Sequence, residues 1–597
     1  MNYYDFSGGI VTEKSPYLMK TNELLDLVNL NVEGGGLTVR DGTRQKYGPF
    51  VGDVTAIHKA LSVKGHEILF VQCGQDVQMV VGGVQCKWKL RCNTFKVLPV
   101  TDGFLFIWGD GLYQLKPIYR RLDGEVSIKG VWEGYVVVER LPEDYSSLGD
   151  FPTDLFGSNI WDEETNTLYY AKAHTYATRE NIRELLQTDQ FVRVGEPGSL
   201  IMIYYAQAME TKLNLRTIQC DNSVVEINEV SVLNGIFSFV EVTETTSKQA
   251  IRCPYIVWHP ASMRYFAAGN PQHPTALYIS EPNDWKTYSE GNVLYPHLHL
   301  GKITGLTVVE KSVLVSYEYG WSHYVGSDPT EDGQWSLLSV PDGTRYGQTV
   351  CTTPGSVSFL SDSGLMNFSS SMLTVQMIYS PSSSLYKFLS KDKIKLPKPQ
   401  KTAFSYYKNG NLYLVIDSVI FIYNFHLSSF LRYEGIACNC MTEDYSGNIL
   451  MGSGKYITAF TRGEATDYDP VTDSRIPISY RMTAPVLGTV NENEIARCDE
   501  VVVKALGMPK ETDCFVRLSS EKESREGKLL HTGHLLYGNS SWNHRYRDSE
   551  FSETVFPWKV SGNIFFLELF GTSNPEASIP LSVFNIYLAI KKERNKL

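Results

Sequence analysis

The stretch Lys401–Tyr423, KTAFSYYKNGNLYLVIDSVIFIY, reads as a strand, a turn and two further strands. Asn409-Gly410 is a pair that tight hairpin turns favour, because both central positions of such a turn need a positive φ. The runs Leu412–Ile416 and Val419–Tyr423 are short and rich in β-branched and aromatic residues, the composition of half-buried strands. Working outward, the same grammar recurs. Glu67–Gln72 and Val77–Val81 flank Cys73–Asp76, and Phe104–Trp108 and Leu112–Leu115 flank Gly109–Gly111. Ser158–Ala173 turns at Asp162–Asn166, and Arg264–Asn270 is followed by Ala276–Ser280. Ile303–Leu306, Val313–Ser316 and Gly320–Val325 follow, then Gly355–Ser361 with Gly364–Phe368, and Asn448–Gly454 with Tyr456–Phe460. Units return roughly every 40–50 residues, a period typical of propeller blades. They carry no WD or kelch signature, and a series of β-sandwiches is the plainer alternative.

Composition agrees with an all-β chain. Of 597 residues, 43% are hydrophobic and 12% aromatic, with 36 Tyr. That is enough for several domains and a sizeable core. Helix signals are two and short: Leu24–Leu30, with apolar residues at Leu24, Leu27, Val28 and Leu30, and Tyr176–Leu186. The net charge of −11 argues against a surface that wraps nucleic acid, though not against a channel that must let DNA slide through. Ten scattered Cys with no CxxC pair read as reduced, buried thiols. The first twenty residues lack the basic start and apolar core of a signal peptide. No apolar run is long enough for a membrane-spanning helix.

These patterns divide the chain into an N-terminal arm (1–49), first blades (50–189), an inserted small β domain (190–255), remaining blades (256–472) and a C-terminal β-sandwich (473–597). The expected fold is therefore all-β: an irregular β-propeller with an insertion and a terminal sandwich. Residues 380–401 break the rhythm. Ser380–Ser384 is followed by Lys387, Lys391, Lys393, Lys395, Lys398 and Lys401, with Asp392 as the one acid among them. They form either a basic loop that faces DNA or an acidic partner, or a solvated linker between blades.

The arm carries a resemblance. Phe6-Ser7-Gly8-Gly9 leads into NELLDLVNLNVEGGGLTVRDGTR at 22–44, which keeps Asn29, Leu37, Arg40, Gly42 and Thr43. It resembles the opening of the tail nozzle or hub proteins of short-tailed bacteriophages, the podoviruses. MRYFAAGN at 263–270 with LYISEPNDW at 277–285, VSFLSDSGLMNFS at 357–369 and GNILMGSGKYI at 447–457 are similar to blades of those proteins. The closing strands, from PISYRM at 477–482 to LSVFNIYLAI at 581–590, are similar to their terminal sandwich. The resemblance implies a structural virion protein in the phage tail, made in the host cytoplasm. It implies a ring, usually a homohexamer, below the portal and adaptor, continuing the DNA ejection channel and holding fibres or spikes. The lysines at 387–401 would then meet DNA transiently, at the channel or at a gate.

No catalytic constellation, cofactor motif or metal set emerges. His531 with His534 and His297 with His299 lack acidic or thiol ligands nearby, and Asp467, Asp469 and Asp473 lack the glycine and terminal glutamate of a calcium loop. There is no G-x-S-x-G, P-loop or H-E-x-x-H. The expectation is a protein that is not an enzyme. Its rivals are a propeller-type carbohydrate-active enzyme, whose two converging carboxylates are not visible in the sequence, and a receptor-binding tail spike or fibre.

Overall fold

The computed structural model describes residues 2–3, 5–61, 67–74, 76–81, 245–285, 287–325, 328–330, 335–369, 386–488, 495–506, 513–529, 552–573 and 581–592, with individual strands and short stretches between 84 and 241. Its described elements are overwhelmingly strands.

Five separate four-stranded antiparallel sheets can be followed along the chain. Sheet I spans 56–91, sheet II 255–294, sheet III 303–338 and sheet IV 351–388; sheet VI combines 440–461 with Gly42–Tyr47 of the arm. Sheet V, 403–433, has the same up-and-down course but runs on into a nine-stranded sheet. Asn409, with φ of 48°, and Gly410, with φ of 79°, make its first turn, as the Asn-Gly pair requires.

Why the sheets stack in order follows from the two-residue period of a strand. In Ser312–Tyr317 every residue is buried. Val313, Val315 and Tyr317 pack on Phe266, Leu277 and Ile279 of sheet II, while Leu314 points the other way, to Val357 and Phe359 of sheet IV. Sheet V repeats the device: Leu412 and Leu414 share a core with Leu360 and Leu365 of sheet IV, and Val415 and Ile420 pack on Ile449 and Met451 of sheet VI. Leu450 and Ile457 of sheet VI then meet Leu69 and Val71 of sheet I. A strand buried on both faces is apolar almost throughout. The result is a β-propeller arrangement with neighbours II, III, IV, V, VI and I.

Two expectations are corrected. Phe104–Trp108 and Leu112–Leu115 do not form a hairpin with each other. Gly103–Ile107 pairs with Lys96–Val100 and with Leu200–Tyr204, and Tyr113–Ile118 pairs with Ile236–Glu241. Leu200–Tyr204 and Ile236–Glu241 of the 190–255 block thus pair back onto the chain before it, while Thr211–Lys212 pairs with Ser231–Val232 inside it. Leu24–Leu30 is not helical either. It forms strands Glu23–Leu24 and Asp26–Val28 and leads into Leu30–Glu33. Its backbone is claimed from outside: the Leu25 N–H donates to the Thr483 carbonyl (2.8 Å) and the Asn29 N–H to that of Arg432 (2.9 Å). Asn29 itself sits at φ of 56°, a left-handed conformation that no helix continues. Among the described residues of Tyr176–Leu186, Ile182–Leu185 is helical and Tyr176–Ala177 is a strand.

The C-terminal strands form a sandwich that includes the arm. Ser479–Leu487, Asp513–Ser520, Ser524–Lys528 and Ile564–Thr572 complete the nine-stranded sheet, and arm strand Asp26–Val28 lies between them and sheet V. The facing seven-stranded sheet joins Ala496–Leu506 and Ser582–Lys592 to arm strands Leu30–Glu33 and Gly36–Val39. Their shared core holds Leu30, Leu37, Met482, Val501, Val516, Leu567 and Ile586.

Candidate functional site

Two places concentrate polar chemistry: a buried junction at the arm, and the lysine stretch.

At the junction, Asn29 uses its full hydrogen-bonding capacity. Its Nδ2 donates to the carbonyls of Glu434 (3.1 Å) and Ser479 (2.7 Å). Its Oδ1 accepts from Arg40 Nε and from the Glu434 N–H, both at 2.9 Å. Arg40, 1% exposed, forks onto both carboxylate oxygens of Asp467, at 2.9 and 2.5 Å, and stands over the Tyr433 ring. A buried pair of this kind survives because its geometry is bidentate and its other hydrogens are used. Thr43 Oγ1 donates to Asp467, and the Tyr468 N–H donates to Thr43. Gly42 is needed because a Cβ there would lie 2.0 Å from the Thr466 carbonyl oxygen. Arm, sheet V, sheet VI and sandwich therefore meet at one polar knot. Asn29, Arg40, Gly42 and Thr43 build it, and Leu37 is buried in the adjoining core.

The three aspartates considered for a calcium loop have separate partners. Asp467 is committed to Arg40, Asp469 accepts from the Val471 N–H and Thr472, and Asp473 accepts from the Tyr468 hydroxyl. No group of three or more His, Cys, Asp or Glu that could hold a metal occurs among the described residues. His297 and His299 touch edge to face at 5.9 Å, and burial lowers the His297 pKa. His531 and His534 lie outside the described residues. The described cysteines are free thiols, and burial pushes those of Cys351, Cys440 and Cys514 up to about 12, away from nucleophilic use.

The lysine stretch connects sheet IV to sheet V; Ser380–Ser384 lies outside the described residues. Lys387 is exposed on edge strand Tyr386–Phe388. Lys391, Lys395, Lys398 and Lys401 are exposed, and Lys393 is half-buried. None of the six makes a salt bridge among the described residues, whereas Lys14, Arg40, Arg44, Lys46, Arg432 and Arg481 all do. The backbone is nonetheless fixed. The Lys393 carbonyl accepts from the Thr12 N–H (2.6 Å), Ile394 is buried, and the Asp417 carboxylate takes the N–H groups of Gln400, Lys401 and Thr402. So the stretch is a linker with a held backbone whose lysines form no salt bridge among the described residues, Lys391 standing over the Phe388 ring at 5.7 Å.

The six lysines divide. Lys391, Lys395 and Lys398 line a cleft of about 910 Å³ between the arm and sheets IV and V. Lys393 turns instead toward the arm, where burial lowers its pKa, Glu23 opposes that shift, and Lys14, Lys20 and Lys387 add to it. Lys14 and Lys20 are the basic residues sequence reasoning missed. They are more than 360 positions away in the chain, and no local pattern links them to Lys387.

No protein-family model matches the chain, and no curated protein matches it. Among solved structures it is similar to the WD40 domain of Neurospora crassa Pan2, at 7% identity and a TM-score of 0.29, covering 71% of this chain and 95% of that one. Citrobacter koseri AztD is similar at 10% identity and a TM-score of 0.27, covering 63% and 84%. The extracellular domain of the putative one component system BT4673 from B. thetaiotaomicron is similar at 9% identity and a TM-score of 0.26, covering 84% and 81%. All three scores are low, so the propeller arrangement is read from the sheets and registers themselves. No helix among the described residues is long and apolar enough to cross a membrane.

Proposed function

We propose that the chain is a structural virion protein, the tail nozzle or hub of a short-tailed phage. On this reading it assembles as a ring, sixfold by analogy, beneath the portal and adaptor, continues the DNA channel and holds fibres or spikes. It works by assembly and conduit formation, without catalysis, in the virion tail after synthesis in the host cytoplasm. The observation that carries the proposal is the arm. The residues that give the arm its resemblance to nozzle proteins, Asn29, Leu37, Arg40, Gly42 and Thr43, are those that tie it to the propeller and sandwich. The likeness thus rests on residues with a shared structural task rather than on a glycine-rich composition. A body whose arm is built into both halves suits a part that must bear load while DNA passes. The exposed lysines at 387–401, without salt bridges among the described residues, would supply cations for a brief contact with DNA or with an acidic neighbour.

The test is the particle mass and negative-stain view of the purified protein, alone and mixed with the portal–adaptor complex. The proposal expects a ring with a central hole that forms or is stabilised on that complex. A compact monomer that never docks contradicts it.

A further inference from the structure

The cleft between the arm and sheets IV and V combines three features. Its volume, about 910 Å³, lies in the range of pockets that hold ligands. Its floor is apolar, with Ile10, Leu360 and Phe421 buried and Tyr346 half-buried. Its rim carries Lys391, Lys395 and Lys398, all exposed and none ion-paired among the described residues. Three carboxylates also line it. Glu434 is taken by Arg432 at 2.9 Å, and Asp362 lies 3.9 Å from Arg345, which leaves Glu13 as the one acid without a cation. The uncompensated charge of the rim is therefore positive, in a chain that is acidic as a whole.

We propose that this cleft binds an extended acidic segment of a protein partner. An extended chain shows alternate side chains to opposite sides. A segment alternating carboxylates with apolar residues would set the carboxylates on the three lysines and the apolar side chains on the floor. The rim backbone is already held, by Thr12 at one end and Asp417 at the other, so little loop ordering is lost on binding. Nucleic acid fits less well. A phosphate backbone repeats its charge without apolar side chains to set on the floor. The proposal does not depend on a ring: a monomer that binds the segment keeps it, and a ring that does not bind loses it alone.

The experiment is fluorescence anisotropy with a labelled peptide, Glu-Leu-Glu-Val-Glu-Leu-Glu, titrated with the full chain. Comparison probes replace its apolar residues by Ser or its Glu by Lys, and a labelled DNA duplex is run in parallel. Exposed ion pairs are individually modest, so the triple variant Lys391→Gln, Lys395→Gln, Lys398→Gln should bind about tenfold more weakly. The Ser peptide should bind more weakly and the Lys peptide not at all, and salt should weaken the complex. Three results each overturn the proposal: no uptake of the Glu peptide by the wild type, equal binding by the triple variant, or equal binding of the Ser peptide. Tighter binding of the duplex through the same lysines overturns it in favour of nucleic acid.

Discussion

Residues 5–47 and residues 387–401 both depart from the recurring hairpins of the sequence, one ahead of them and one among them. In the fold they are opposites. The arm gives its backbone to three sheets, and Arg40 is buried against Asp467. The lysine stretch gives the fold its backbone and the buried side chains of Leu389 and Ile394, and leaves all its lysines except half-buried Lys393 exposed. Irregularity in a sequence thus covers two physical cases. In one the charges are consumed by structure; in the other they are left for something else. What separates them is whether a partner exists at long range, which local pattern cannot report.

Breaking the arm's half of the contrast should have the largest effect. Arg40→Ala strands a buried Asp467 carboxylate and removes one of the four side-chain hydrogen bonds of Asn29, so it should cost about 3–5 kcal/mol in denaturant unfolding. A loss below one kcal/mol would mean that the knot is not under tension from burial.

Acid should attack the same half next. Burial alone would raise the pKa values of Glu23, Asp444 and Glu464. Lys14, Lys46 and Arg44 outweigh it, and all three carboxyls are held below their ordinary range. A lowered folded pKa contributes stability above the unfolded value, and that stability is lost as pH falls through the folded value. Urea midpoints should therefore decline once pH drops below the ordinary Glu value of 4.5, and Glu464→Gln should flatten part of the decline. A midpoint that stays flat through acid contradicts the pairing.

The smallest effect sharpens the other half. Replacing Lys391, Lys395 and Lys398 together by Gln should change stability by no more than about 0.5 kcal/mol, since they are exposed and form no salt bridge among the described residues. A larger loss would show that they are structural after all.

Much of the propeller was legible because its hairpins are local. Asn409-Gly410 and the alternating runs around it announce their own pairing, and Leu412–Ile416 finds its neighbours within a few residues. The arm was legible as a pattern of residues but not as structure. Leu24, Leu27 and Leu30 have a helical spacing, yet Leu24 pairs with Gly9–Ile10, the strand of Leu27 with 429–433 and 479–487, and that of Leu30 with Gly36–Val39. Tertiary pairing overrode a weak local preference. The same holds for Gly103–Ile107 and Tyr113–Ile118, which besides the local strand Lys96–Val100 pair with strands at 200–204 and 236–241. At the candidate site the six lysines were visible as a run. Their division into a cleft rim and a group facing Lys14 and Lys20 was not, because that depends on where the arm lands.

Hydrogen exchange of the native protein, read residue by residue, tests the central contrast most directly. Amides of Leu25, Asn29, Val39 and Gly42 donate to Thr483, Arg432, Leu581 and Glu464. They should exchange only with global unfolding, as slowly as those of the Ile564–Thr572 strand. If these amides exchange well ahead of that strand, the arm is a loose appendage, and the account of it as the piece that joins propeller to sandwich is wrong.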